Sequence, residues 1–585
     1  MISQLNRGAF GRIAVTQQQD TMALAIEAMV NGEVELALAL TEQAEADGAA
    51  ALLYIRYAAL LARGEAEEAR RVRDAAAMTH LLPAMAEQDV DLARMATDGP
   101  YALQTARKFY NGFQMAAAIL ALKCAMNDPR TAFDAVFIKA QAEHYQARND
   151  EAMASFRMLL DARPSPSIHS FILYCLFFVD ENVRRQAEEA ARYNARWTPQ
   201  YAMHRRPLTN SRRTDRRVRI GYMGPTFTGN HSSFFIQNLL ELHDRERFEV
   251  FAYTLDAAKE RPIEGVTVRG MGHLSYAATA ELIRNDEIDV LIDFHGHAAW
   301  ARPMVYACRA APVQVSWLSW IMTTGLDQMD YVIHADHMNP PDPSLPFPEK
   351  VISVGPVLTA YRPHATARPS PCPALERGYV TFTSFNHPTK ISDLIIGKWA
   401  QIFKRVPNAK LHLKYAGLDD IAVQMEITAR FLAAGVHPSV LEFSGHSKGE
   451  AYEEAFAHVD LALDTQPYPG GTTTLDAVSR GVPVLTLNGP NFYGQIAVPA
   501  MICMGLEELI ASDWEDYIDK AVAYANDLPR LAALRERVRP AFDASPYRDE
   551  VGFARRMEGV YLKVFAAWAE KGAADDVTVE EAVAA

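Results

Sequence analysis

One change of periodicity, at Val218, constrains this chain more than any other feature of its sequence. Before it, residues 20–195 are rich in alanine, poor in β-branched runs and patterned as successive amphipathic helices. After it, short apolar runs alternate with helical stretches. Val218–Tyr222, Phe248–Tyr253 and Val290–Phe294 read as strands, and Ser233–Leu242 as a helix. A proline-rich crossing follows, with Pro340, Pro341, Pro343, Pro346 and Pro348. The alternation then resumes: Tyr379–Ser384, Lys410–Lys414, Asp460–Asp464 and Val482–Leu487 are strand-like, and Ile391–Lys404 is helical. Alternating strands and helices build a parallel sheet of Rossmann type. Two such halves in tandem leave a cleft, with ligands expected at the carboxyl ends of strands.

At 585 residues the chain exceeds what one hydrophobic core supports. The expected segments are a helical repeat domain over 1–200, a basic linker over 201–217, one Rossmann-like lobe over 218–370, a second over 371–568, and an acidic, disordered tail over 569–585. Within the first segment, Gly32–Ala37 recurs in altered form as Gly64–Ala69. Ala152, Phe156 and Pro164 fall at the offsets of the second helix of a tetratricopeptide repeat, a unit of about 34 residues. The first-helix Trp and Tyr signature is faint, so a compact helical bundle stays open. The linker carries Arg205, Arg206, Arg212, Arg213, Arg216 and Arg217. It reads as a solvated connector, with an anionic partner as the alternative.

Hydrophobic residues make up 49% and charged residues 22%, an ordinary globular balance. A net charge of −14 argues against non-specific binding to nucleic acid or anionic membranes. Five scattered cysteines with no C-x-x-C pair fit a reducing compartment and no structural zinc. The N-terminal residues lack a signal-peptide pattern, and the apolar run Phe171–Val179 is too short to span a bilayer. A cytoplasmic protein is expected.

Four strand-end loops carry candidate chemistry. Asp464–Asp476 reads Asp-Thr-Gln-Pro-Tyr-Pro-Gly-Gly-Thr-Thr-Thr-Leu-Asp. Prolines break the chain, Gly470 and Gly471 free the backbone, and a helix should begin near Thr472. Exposed N–H groups and threonine hydroxyls there suit an anion, and Asp476 can accept from a ribose. A capped helix after a turn is the plainer reading. In Phe385–Asp393, Lys390 can neutralise a phosphate or be a surface lysine. In Thr228–Ser233, His231 can move a proton or cap a helix. In Asp293–His297, two histidines and a carboxylate admit a metal in principle, but no further histidine lies at ligand spacing, and none is expected.

Together these motifs resemble the O-linked N-acetylglucosamine transferase and SPINDLY-like family, helical repeats fused to a GT-B core. The carriers are Gly229-Asn230-His231, Arg309 to Leu318, Thr323-Thr324-Gly325 with Met329-Asp330-Tyr331, Phe385-Asn386 with Lys390, and Gly471 to Asp476. The resemblance implies catalytic roles for His231, His297 and Lys390. It implies donor binding by Asn386, Lys390, His446, Gly470, Gly471, Thr472, Thr473 and Asp476. The implied reaction is inverting and metal-independent transfer from a nucleotide sugar to a protein Ser or Thr, with no cofactor and no membrane insertion. The donor is UDP-N-acetylglucosamine or a CMP-nonulosonic acid. Three positions depart from the family: Leu318 to Met322 replaces a Leu-Gly-Tyr-Pro-Gly segment, Gly471 stands where some members have histidine, and Gln495 where animal enzymes have a basic residue. Bacterial flagellin glycosyltransferases share the layout, which makes flagellin the first acceptor to consider. A non-catalytic scaffold and an enzyme acting on a small acceptor are the competing readings.

Overall fold

The computed structural model describes residues 18–42, 49–179, 182–228, 233–339, 341–363, 367–490 and 492–571. The N-terminal part is helical. Helices begin at Gly99, Ala132 and Pro166, 33 and 34 residues apart, each followed by a second helix at Met115, Asn149 and Val183. That spacing is the repeat period and favours repeats over a bundle. Small residues make the close packing possible: Ala102, Ala106, Ala118, Ala121 and Ala125 are buried where neighbouring helices meet.

The chain forms two compact units, which divide the helical region at Ser155 and Phe156. The first combines residues 1–155 with 371–465 and 514–532. It holds four parallel strands, β8 (Thr381–Ser384), β9 (Lys410–Lys414), β10 (Leu441–Ser444) and β11 (Leu461–Leu463), in the order β10-β9-β8-β11. Its helical repeats share a core with the helix Ile421–Ala433, through Ala429 and Leu432 beside Leu53, Ile55 and Tyr57, and through Ala422 beside Leu103 and Phe109. Polar ties run alongside. Tyr145 donates to the Ala416 carbonyl at 2.8 Å, and Arg148 Nε to buried Glu426 at 2.8 Å.

The second unit combines residues 156–370, 466–513 and 533–585. Its sheet has seven parallel strands in the order β3-β2-β1-β4-β5-β6-β7. These are β1 (Val218–Met223), β2 (Phe248–Thr254), β3 (Val266–Gly270), β4 (Val290–Asp293), β5 (Val313–Ser316), β6 (Tyr331–His334) and β7 (Lys350–Ser353). The order reverses between β1 and β4, the switch point where such sheets bind ligands. β12 (Val484–Leu487) and β13 (Ile510–Ala511) form a further parallel pair in this unit. Helical repeats followed by two Rossmann-like parallel-sheet halves are therefore the architecture, as the alternation predicts.

Two expectations change. The basic segment is not simply solvated. Arg216 pairs with Asp289 at 2.7 Å, Asn210 donates to the same carboxylate at 3.0 Å, and the Arg212 guanidinium lies 5.0 Å from the Trp568 ring. Asp289 is wholly buried, and a buried carboxylate needs such partners. The C-terminal helix Glu550–Lys571 includes the first residues of the expected tail; residues 572–585 lie outside the described residues.

Candidate functional site

In the first unit, the carboxyl end of β8 delivers Asn386 and Lys390. A short 3-10 turn, Pro388–Lys390, follows the strand because His387 Nδ1 accepts from the Thr389 amide at 3.2 Å. Thr389 Oγ1 anchors that turn to the His144 carbonyl at 2.9 Å. Ser392 then caps the helix Asp393–Arg405 through the Ile395 amide, and Arg430 ties Asp393 and the Ile391 carbonyl together. The lysine thus rises from a loop fixed on both sides. Its Nζ lies 3.2 Å from Asn386 Oδ1. Burial pushes its ammonium down to about 8, against the opposing pull of the Asp464 carboxylate. Asp464 directly follows β11 and is itself held, its carboxylate accepting from the Thr465 amide and its carbonyl from Tyr517. The partly desolvated cation is suited to an anionic ligand. His446 stands apart from this cluster in character: it is exposed, on the loop after β10.

In the second unit, the helix expected at Thr472 runs from Thr472 to Val478, with Gly471 as its N-cap residue. Thr474 turns inward and donates to the Gly470 carbonyl at 2.8 Å, fixing the glycine pair, while Thr472 and Thr473 remain partly exposed. Asp476 Oδ1 accepts from Tyr361 at 2.6 Å and from Arg480 at 2.8 Å. Arg480 is almost fully buried and one helical turn on, so Asp476 is oriented before any ligand arrives. A Cβ at Gly471 would meet Ile496 at 3.6 Å, an ordinary van der Waals contact. Gln495 is buried in backbone contacts, accepting from the Asn339 amide at 2.8 Å and donating to the Gly489 carbonyl at 3.0 Å.

The loop after β4 carries His297. Asp293 accepts the amides of His295 and Gly296 and so bends the chain directly after the strand. Gly296 has φ +57°, and a Cβ there would lie 2.1 Å from Trp320. Only glycine meets both demands. His297 Nε2 faces the Thr324 carbonyl at 2.8 Å, which assigns the ring proton to Nε2; Nδ1 then accepts from Ser170 at 2.9 Å. Burial pushes the ring down to about 4, so it is neutral at physiological pH. Both nitrogens are engaged by protein, and the ring packs on Tyr193 and Trp320. This geometry fits a residue that positions the loop better than one that exchanges a proton. His231 lies outside the described residues.

The divergent segment 318–322 has a structural logic. Trp320 is buried against Phe177 and His297, and its indole N–H donates to the Thr323 carbonyl at 2.9 Å. Thr323 and Thr324 converge on the buried carboxylate of Glu349, at 2.7 and 2.6 Å. Sequence reasoning passes over Glu349 and Tyr361 and does not link Asp464 to Lys390, because these residues lie far along the chain from the groups they act on. Arg480 was within reach, four residues after Asp476 and just past the end of its helix. Among the described residues no group of three His, Cys, Asp or Glu side chains is gathered as for a metal, and no helix is long and apolar enough to cross a membrane.

The chain resembles known proteins in both sequence and fold. A solved structure of a Thermobaculum terrenum O-GlcNAc transferase mutant superposes with a TM-score of 0.72 over 96% of this chain and 99% of its own, at 23% identity. A protein of Solanum lycopersicum named as a probable UDP-N-acetylglucosamine–peptide N-acetylglucosaminyltransferase SPINDLY is 30% identical over 61% of this chain and 39% of its own length. Its Arabidopsis thaliana namesake is 30% identical over 67% of this chain and 44% of its own. The chain thus spans about two-fifths of the length of these relatives. The model of glycosyl transferase family 41 matches residues 143–356 and 372–557. That match takes in most of the chain, including β1 to β13 and the loops that carry Lys390, His297 and Asp476, and the protein belongs to glycosyl transferase family 41.

Proposed function

We propose that this protein is an O-glycosyltransferase that moves a sugar from a nucleotide-sugar donor to serine or threonine of a protein acceptor. The observation that carries the reading is Lys390, a partly desolvated cation at a strand end, in a chain of family 41. Asn386 and Lys390 would bind the donor phosphates; Gly470, Gly471, Thr472 and Thr473 are further candidate donor contacts, Asp476 is the candidate for the ribose, and His446 is a candidate donor-binding residue. The hydroxyl oxygen bonds to the anomeric carbon as the bond from that carbon to the phosphate oxygen breaks, with inversion. The bond's electron pair passes to the phosphate, and the Lys390 ammonium takes up the charge that a metal supplies elsewhere. The hydroxyl proton leaves to a base, for which His231 is our candidate; His297 acts by holding its loop.

UDP-N-acetylglucosamine is the first donor to test, because the named relatives carry it in their names. A CMP-nonulosonic acid with flagellin as acceptor is the second reading, favoured by the altered 318–322 segment and by Gly471. The five cysteines form no disulfide with one another, which suits work in the cytoplasm. Thermal shift against UDP- and CMP-sugars separates the donors, since a specific ligand stabilises the native state. Lys390→Ala should lower transfer by about a hundredfold or more while acceptor binding persists. Full transfer by that variant overturns the assignment.

A further inference from the structure

Trp300 stands three residues beyond His297, after the carboxyl end of β4 at the switch point of the seven-stranded sheet. It is 75% exposed, unlike Trp317 and Trp320 nearby in sequence, which are buried. Its φ is +69°. The Ala301 amide bonds the Ala298 carbonyl at 3.0 Å, so Trp300 is the third residue of a tight turn whose φ there is that of type II, a position that favours glycine. A bulky residue is strained in that conformation. Among the described residues little packing offsets this, because the side chain is left three-quarters exposed.

The turn is firmly built. The Ala298 amide bonds the His295 carbonyl at 3.0 Å, and His295 Nε2 reaches the Ala299 carbonyl at 3.0 Å. His297, in the same loop, is bonded through Ser170 to the repeat helix Pro166–Val179 and packs on Tyr193 of the helix Val183–Tyr201. The turn that presents the exposed indole is therefore fixed where the last helical repeat meets the strand end. Repeat surfaces of this kind take extended polypeptide, and a preordered tryptophan supplies large contact area at little entropic cost.

We infer that Trp300 is a contact for the acceptor polypeptide, packing against residues that flank the modified serine or threonine. The inference rests on the protein-transferase reading above. The test complements cells lacking this gene with wild type, Trp300→Gly, Trp300→Phe or Lys390→Ala. Mass spectrometry then reads which proteins gain a sugar mass and at what occupancy, and the purified enzymes are assayed on the protein so identified.

Trp300→Gly suits the turn, so its melting temperature should hold or rise, which removes misfolding as an explanation. Its KM for the acceptor protein should rise about tenfold, with KM for the donor and acceptor-free donor hydrolysis unchanged; Trp300→Phe should keep most of the activity. An acceptor KM equal to wild type overturns the inference alone. A raised donor KM with an unchanged acceptor KM also overturns it, and assigns the ring to the sugar instead. If wild type adds mass to no protein, the transferase reading falls and takes the inference with it.

Discussion

Lys390 feels two opposing influences, of which burial is the larger. Burial pushes its ammonium down to about 8, while the Asp464 carboxylate draws it upward. A lysine whose value falls on folding has a definite linkage sign. Its stability cost is fully present below about 8 and is relieved as pH rises toward its unfolded value. Donor affinity should move the other way. Calorimetry of the nucleotide sugar should show affinity steady to pH 7 and falling through pH 8–9 as the cation is lost. Lys390→Arg, which stays charged throughout, should flatten that profile. A wild-type profile already flat from pH 7 to 9.5 would remove Lys390 from the phosphate contact. Asp476 gives a second residue-scale expectation. Tyr361→Phe deletes the 2.6 Å bond to its carboxylate and keeps the ring packing on Phe235 and Phe542. Thermal unfolding should register a loss of about 1.5–3 kcal/mol, typical of a hydrogen bond to a charged group, and nucleotide affinity should weaken several-fold.

Elements were more legible than sites. Ser233–Leu242 and the helix start at Thr472 fall where periodicity and the glycine pair place them. β5 and β6 do not stand out, because four-residue strands buried within a parallel sheet lack alternation, and β3 and β7 are short, half-buried edge strands. The site loops were legible as strand-to-helix junctions rich in Gly, Thr and His. Their supports were not: Asp464 lies 74 residues from Lys390 and Tyr361 lies 115 from Asp476, and no local pattern encodes such pairings. The basic segment misleads for the same reason, since the buried Asp289 that holds Arg216 lies 73 residues on. The helix Ile421–Ala433 shows what an element can hide. Burial alone would raise the Glu426 carboxyl, but the guanidiniums of Arg148, Arg73 and Arg430 more than offset it and the net value is lowered. That contribution is complete above the usual glutamate value and is lost as pH falls through the lower folded one. Arg148→Ala leaves a buried carboxylate short of its partner and should cost about 3–5 kcal/mol, read as a lower midpoint in denaturant at pH 7. At acid pH, where Glu426 is protonated, the gap to wild type should narrow; a gap independent of pH would assign the loss to packing.

At the scale of the molecule, the repeats are not an appendage. The chain passes between its two compact units at residues 155, 370, 465, 513 and 532, and the first unit takes its core from segments far apart in the sequence. Leu53, Ile55 and Tyr57 from the repeats share one apolar cluster with Ala429 and Leu432, and Leu103 and Phe109 share another with Ala422. The turn that presents Lys390 is anchored by Thr389 to the carbonyl of His144, in the repeats. Deleting residues 1–155 therefore does more than remove a surface for acceptors. It strips one face of the helix Ile421–Ala433, leaves Glu426 without Arg148 and Arg73, and frees the Lys390 turn. The truncated chain should lose the cooperative unfolding transition of this unit, expose apolar surface to dye, and fail to bind nucleotide in calorimetry. If the repeats were an independent acceptor-binding module, the truncated chain would melt cooperatively and bind the donor as tightly as the full chain does. Because truncation removes fold and acceptor surface together, only substitutions on exposed repeat positions, made with the melting temperature held constant, can separate the two roles.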